Sequence, residues 1–288
     1  MNAACHWITT APAKINWTLE VLGKRAAGYH EIRSVMQTLS LADDLRMWGA
    51  PSPSLEIDGP EAHGLRVADN LVLRAAEGFG AQGTKCAFAF QLTKRIPQAA
   101  GLGGGSSDAA AALRLLSRAT ALEPPRNTHA LAASLGSDVA FFLQGGTALA
   151  AGRGEQLTAL PPSPPVSLVL VTPPIQIERK TARMYAALTP ATFSDGSGSE
   201  QLASKLRAGS APDEGDFSNV FDAVADRIFP GLAQYRALLA EITGRTALLA
   251  GAGPSLFALM PDHASATRAA ALIKARGRIS AWVVTTTA

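Results

Sequence analysis

Apolar residues spaced for strands dominate the first sixty positions. Ile15–Val21, Ile32–Leu41, Leu45–Trp48 and Leu55–Ile57 are predicted strands. Asn70–Phe79 has helical spacing, because Leu71, Ala75 and Phe79 recur every four residues and Asn70 can cap the start. Cys86–Leu92 alternates as a strand, Asp108–Arg118 and Thr128–Leu135 are predicted helices, and Thr147–Ala150 is a further strand. The second half opens with the strand Ser167–Val171. Helical periods follow at Glu178–Leu188, Asn219–Arg227, Leu232–Ile242 and Ala264–Ala275, with strand-like runs at Ala247–Leu249, Ser255–Met260 and Ser280–Thr285. Helices mixed with antiparallel strands predict an α+β fold, in an order the pattern does not reveal.

Prolines divide this pattern. Four fall within Leu160–Pro165, which suits neither helix nor central strand and is the expected boundary between a first domain, 1–160, and a second, 166–288. Pro51-Ser52-Pro53 reads as a surface connection, and Thr192–Glu200, rich in Ser and Gly, as a mobile surface loop.

With 47% hydrophobic residues spread over 288 positions, the chain can bury a sizeable core and is not disordered. Its 26 Lys and Arg against 23 Asp and Glu leave a formal charge of +3 without a basic stripe, which argues against a nucleic-acid partner. Cys5 and Cys86 match no metal or redox spacing and are expected as reduced thiols. Met1–Thr10 has no signal-peptide pattern and the apolar run Val166–Val171 is too short to cross a bilayer, so a cytoplasmic protein without a membrane partner is expected. Nothing indicates the oligomeric state.

The chemistry concentrates in Pro97, Gln98, Ala99, Ala100, Gly101, Leu102, Gly103, Gly104, Gly105, Ser106, Ser107 and Asp108. Glycines let backbone amides converge on an anion, and the following helix adds unpaired N–H groups and its dipole. Ser106 and Ser107 can cap that helix, donate to phosphate or reach a magnesium ion. A Walker loop is excluded, since no Lys-Ser or Lys-Thr follows Gly105. A dinucleotide fingerprint lacks its acidic ribose ligand, Glu123 being poorly placed before two prolines. Neither His-Arg-Asp nor Asp-Phe-Gly is present for a protein kinase.

Four blocks in order resemble the GHMP small-molecule kinases: Pro12-Ala13-Lys14-Ile15-Asn16 extended by Gly28-Tyr29-His30-Glu31; Pro97–Asp108; Leu135-Gly136-Ser137-Asp138-Val139 followed by Gly152-Arg153-Gly154-Glu155; and Leu249–Leu259, centred on Gly251, Ala252 and Gly253. The Gly-Tyr-His-Glu block points to a member acting on a cytidine diphosphate-linked sugar alcohol rather than mevalonate or homoserine. Gln98-Ala99-Ala100 departs from the more glycine-rich lead-in often seen in the family.

The resemblance implies a two-domain fold, a ribosomal-protein-like N-terminal domain followed by a ferredoxin-like C-terminal domain. It implies phosphorylation of the 2-hydroxyl of the cytidylylated methylerythritol of the non-mevalonate isoprenoid route, with ATP and Mg2+. Asp138 is then the general base and Lys14 the active-site cation. Residues 97–107 form the ATP loop, Ser107 is a candidate for magnesium, and Gly251, Ala252 and Gly253 form a second glycine loop. Asn16, two positions from Lys14 on the same strand face, would bind substrate, with Tyr29 and His30 at its cytidine end. Taken singly, Asp138 reads more often as a helix or turn cap and the second loop as a simple β-turn, Lys14 has the alternative of a surface lysine at a strand edge, and Tyr29 and His30 could equally be a core Tyr and an exposed His. A kinase for another alcohol and an inactive nucleotide-binding relative are the competing functions.

Overall fold

The computed structural model describes residues 6–26, 28–80, 87–120, 128–162, 164–277 and 279–288. Cys5, Cys86 and Glu123 lie outside them. In chain order the elements are β1 (Trp7–Lys24), β2 (His30–Ala50), β3 (Ser54–Asp58), α1 (Leu71–Gly80), β4 (Ala87–Thr93), α2 (Gly104–Ala119), α3 (Thr128–Leu135), α4 (Val139–Gln144), β5 (Thr147–Gly152), β6 (Gln156–Leu160), β7 (Ser167–Thr172), α5 (Lys180–Ala187), α6 (Ser197–Arg207), β8 (Ser218–Asn219), α7 (Asp222–Ile228), α8 (Leu232–Thr243), β9 (Leu248–Leu249), β10 (Leu256–Met260), α9 (His263–Gly277) and β11 (Ser280–Thr285).

Two compact units share this chain. The first comprises Met1–Ala13, Leu41–Gln98 and Gly103–Gly145; the second comprises Lys14–Ser40, Ala99–Leu102 and Gly146–Ala288. The proline-rich segment 161–165 lies within the second.

In the first unit β4 runs antiparallel to the end of β2, from Asp44 opposite Thr93 to Ala50 opposite Ala87, and parallel to β3. Helix α2 packs against α1 and α4. Ala109, Ala110, Ala111 and Ala112 are all fully buried, so the small side chains that favour the helix also admit close neighbours. The buried stripe of α1 is Val72, Ala75 and Phe79 rather than one led by Leu71, and Asn70 Oδ1 caps it by accepting the N–H of Val72 at 2.9 Å.

The second unit holds two sheets. In one, the order is β6-β5-β2-β1-β8; β2 pairs antiparallel with β5, and β1 pairs parallel with β8 through Leu19 and Asn219. The other is antiparallel throughout, in the order β11-β7-β10-β9. Val169, Val171, Leu249, Leu256 and Ala258 of that sheet share a core with Ala266, Ala270 and Ile273 of α9 and with Phe229, Leu232 and Leu239.

Three expectations change. The runs 32–41 and 45–48 are one strand, because the intervening Asp43 is buried and satisfied: its Oδ1 accepts the N–H groups of Arg95 (2.5 Å) and Ile96 (2.9 Å). The segment 192–200 is not a surface loop throughout, since α6 starts at Ser197 and Ser199 is wholly buried. Helix α7 starts at Asp222 rather than Asn219, whose side chain and backbone are engaged elsewhere.

Candidate active site

Strand β1 alternates its side chains between two faces, so Lys14 and Asn16 project together. Both are buried, and Lys14 Nζ donates to Asn16 Oδ1 at 2.7 Å. Lys14 is therefore not a surface lysine. The N–H of Lys14 donates to Leu102 O at 2.9 Å, which ties the strand to the middle of the first glycine segment.

That segment places three left-handed residues before α2. Pro97 is buried, and Gln98 Nε2 donates to Glu61 O (2.7 Å) and His63 O (2.9 Å). Ala99 has φ 50°, Gly101 φ 88° and Gly103 φ 74°. A left-handed residue with a Cβ costs about 1–2 kcal/mol. Ala99→Gly is accordingly expected to raise stability by about 0.5–1 kcal/mol, read as a higher midpoint in urea, the gain being reduced by the extra freedom of glycine in the unfolded chain.

The glycine cluster does not precede its helix; it begins it. Gly103 is the N-cap, without any side-chain cap bond, and Gly104 and Gly105 are the first two helical residues, four positions ahead of the expected start at Asp108. Their N–H groups are among those that no helical carbonyl satisfies. Gly105 is exposed and a Cβ there would meet nothing nearer than 3.7 Å, so this end is open to an anion. Neither serine caps: Ser106 is half-buried, while Ser107 is fully buried with an Oγ that finds no partner.

The second glycine loop closes the hairpin of β9 and β10. It is a β-turn, with the N–H of Gly253 bonded to Ala250 O at 2.8 Å, and it is more than that. The N–H of Ser255 donates to Ala100 O at 3.2 Å; a Cβ at Gly101 would lie 2.1 Å from Ala250 O, and one at Gly251 would lie 2.7 Å from Gly101 O and 3.2 Å from Lys14 Nζ. Only glycines let Ala99–Leu102, the second loop and Lys14 approach so closely. Asn219, which the sequence reading passed over, sets the hairpin: its Nδ2 donates to Leu249 O and Gly251 O, both at 2.9 Å, and its Oδ1 accepts the N–H of Phe221. A lone Asn before an apolar run signals only a helix cap.

Asp138, in the first unit, precedes α4 without capping it by its side chain, so the cap reading fails. Its carboxylate is half-buried. Tyr29 is 51% exposed, with the guanidinium of Arg153 lying 3.8 Å over its ring. His30 stacks on Tyr185 at 4.8 Å and 19°, and meets Phe193 edge-on at 6.2 Å. Partial burial, and secondarily repulsion from Lys24, lowers the His30 pKa, so its ring is neutral at pH 7 and offers one donor and one acceptor. Tyr185 and Phe193 carried no local sequence signal; long-range packing assembles this aromatic group.

Residues 70–146 match the family model described as the GHMP kinases N terminal domain. The 4-diphosphocytidyl-2-C-methyl-D-erythritol kinase of Pelotomaculum thermopropionicum is 43% identical over 91% of each chain. This chain belongs to that kinase family, within the GHMP kinases. The Geobacter sulfurreducens member is 33% identical over 96% of this chain and 97% of its own. A crystal structure of a 4-(cytidine 5'-diphospho)-2C-methyl-D-erythritol kinase superposes with a TM-score of 0.81 at 35% identity, covering 98% of this chain and 100% of the other. An L. major mevalonate kinase shares the fold, with a TM-score of 0.74 at 15% identity. The expected two-domain α+β kinase fold is thus confirmed. Among the described residues no helix is long and apolar enough to cross a membrane, and no group of three or more His, Cys, Asp or Glu gathers to hold a metal.

Proposed function

We propose that this chain transfers the γ-phosphoryl group of ATP to the 2-hydroxyl of 4-diphosphocytidyl-2-C-methyl-D-erythritol, in the cytoplasm. The observation that carries the reading is the buried Lys14 ammonium, oriented by Asn16 beside two interlocked glycine loops. Kinases of the same family, alike over nine-tenths of the chain, bear the name of this reaction.

Each part has a definite task. The open N–H groups at the start of α2 receive the nucleotide phosphates, and the loop glycines leave room for them. Asp138 accepts the proton of the acceptor hydroxyl as its oxygen bonds to the γ-phosphorus and the bond from that phosphorus to the bridging oxygen of ADP breaks. Lys14 stabilises the negative charge developing on the oxygens. Tyr29 and His30 hold the cytidine end, the neutral imidazole hydrogen-bonding the base edge and the exposed phenol offering a stacking face.

The serine pair suits a magnesium ion through Ser106 rather than Ser107. Magnesium keeps several waters, so a ligand needs space around it, which half-buried Ser106 has and enclosed Ser107 lacks. When bound, the ion neutralises charge on the phosphate oxygens.

The test is coupled detection of ADP release with the cytidylylated methylerythritol, mevalonate and homoserine offered separately. Turnover is expected only with the first and is lost without magnesium; turnover with another alcohol instead, or with none, would overturn the proposal. CDP should compete with the acceptor more effectively than ADP does.

A further inference from the structure

Along β1, Lys14, Asn16, Thr18 and Glu20 occupy one face and all four are buried. Four successive polar side chains inside a fold are costly unless every one is hydrogen-bonded. Here they are satisfied by a linked set of bonds. Lys14 Nζ donates to Asn16 Oδ1; Asn16 Nδ2 donates to Ser34 Oγ at 2.7 Å; Ser34 Oγ donates to Thr18 O at 2.6 Å. Beyond it, Thr18 and Ser199 hydroxyls meet at 2.8 Å and Ser199 Oγ reaches Glu20 Oε2 at 2.6 Å.

The proton count fixes the direction. A carboxylate only accepts, so the single Ser199 hydroxyl proton goes to Glu20 and Thr18 must donate to Ser199. Thr18 Oγ1 in turn accepts the N–H of Val35 at 2.9 Å.

Glu20 has two further partners. Its Oε2 accepts the N–H of Ser199 at 2.7 Å, in the first turn of α6, and its Oε1 accepts Ser194 Oγ at 2.9 Å. Helix α6 has Gly196 at its N-cap, and Asp195 Oδ1 accepts the N–H of its first residue, Ser197, at 2.9 Å. Glu20 adds a second acceptor from another element, favourably for the helix dipole. Ser194 is also held by its own N–H, which donates to Val21 O at 3.0 Å, and its neighbour Phe193 is the ring packed edge-on against His30.

We infer that Glu20 is a positioning residue for the acceptor alcohol: it pins the segment 193–199, which seats Phe193 against His30, and through Ser199 and Thr18 it steadies the strand face bearing Asn16 and Lys14. Both oxygens of the buried Glu20 carboxylate are taken up by Ser194 and Ser199, so it acts through them. The inference rests on the acceptor reading of Tyr29 and His30 above.

The experiment measures kcat, the KM of the cytidylylated acceptor and the KM of ATP for the wild type, Glu20→Ala, Glu20→Gln and Ser194→Ala. Glu20→Ala is expected to raise the acceptor KM about tenfold with the ATP KM changed less than twofold, the loss of roughly one buried charge-assisted hydrogen bond from the acceptor side. Glu20→Gln keeps one acceptor oxygen for Ser199 and should recover part of that change. Ser194→Ala removes one partly buried bond and should raise the acceptor KM about threefold, which keeps the test decisive if Glu20→Ala does not fold. Equal changes in both KM values, or a lowered melting temperature with an unchanged acceptor KM, would reduce Glu20 to a structural role and overturn the inference. If the wild type itself does not turn over this acceptor, the proposed function fails instead.

Discussion

Asp138→Asn lowers kcat by roughly 10²–10⁴-fold, the usual worth of a positioned general base, while ATP still binds. The substitution separates the two readings of this residue. Asn caps helices about as well as Asp, so a capping Asp138 would be replaced without kinetic consequence. The structure shows no cap bond from its side chain, and α4 is a six-residue helix anchored by buried Val139, Phe141 and Phe142. Thermal melting measured beside the kinetics separates the two effects: a loss of turnover in a variant that melts like the wild type reflects chemistry. Nucleotide affinity, followed by the fluorescence of an ATP analogue, should stay within twofold of wild type because Asp138 lies outside the glycine loops. Wild-type turnover in this variant would remove the general-base assignment.

How much of this was legible beforehand differs by element. The long strands and α8 and α9 were readable because their periodicity is local. The break expected near Ala42-Asp43-Asp44 was not real: two adjacent acids look like a turn, yet Asp43 is paid for by Lys94 and two backbone N–H groups about fifty residues away. The first turn of α6 fell within the expected loop 192–200 for the same reason, since the acceptor for the N–H of Ser199, Glu20, comes from β1. The glycine cluster reads as an anion-binding loop ahead of a helix, and glycine's poor helix propensity hid that Gly104 and Gly105 already belong to α2. At the site, Lys14, Asn16, the stretch Ala99–Leu102 of the first glycine loop and the second glycine loop were named from their motifs and are brought together. Asn219, Tyr185 and Phe193 were not, because each acts through a partner distant in sequence.

Lys94→Met is expected to cost about 3–5 kcal/mol of stability, the usual penalty for removing one member of a buried ion group. Lys94 Nζ lies 2.5 Å from Asp43 Oδ2 and 2.7 Å from Asp108 Oδ2, and all three side chains are buried. Methionine fills the volume but leaves two enclosed carboxylates facing each other without a cation. The damage reaches the glycine-rich start of α2, proposed to receive the nucleotide phosphates, since a Cβ on Gly104 would lie 3.3 Å from Lys94 Nζ and Asp108 is the fifth residue of that helix. The ATP KM should therefore rise together with the loss of stability, and adding Asp108→Asn to Lys94→Met should recover part of both by removing one of the two acids enclosed together.

The same cluster predicts a pH dependence in the otherwise unaltered protein. Burial, opposed by Lys94 and reinforced by Asp43, pushes Asp108 up from its ordinary 3.8 to about 7, so the folded state holds this proton more tightly than the unfolded chain does. An acid raised in this way contributes fully to stability below about pH 3.8, and the contribution is lost progressively as pH rises to about 7, staying flat above. Asp108→Asn keeps an acceptor for Lys94 and has nothing to ionise. The melting temperature of Asp108→Asn relative to wild type should thus climb between pH 5 and pH 8; a difference independent of pH would mean that Lys94 holds Asp108 ionised across the whole range, and that α2 starts on a balanced ion group instead of a proton-sharing one.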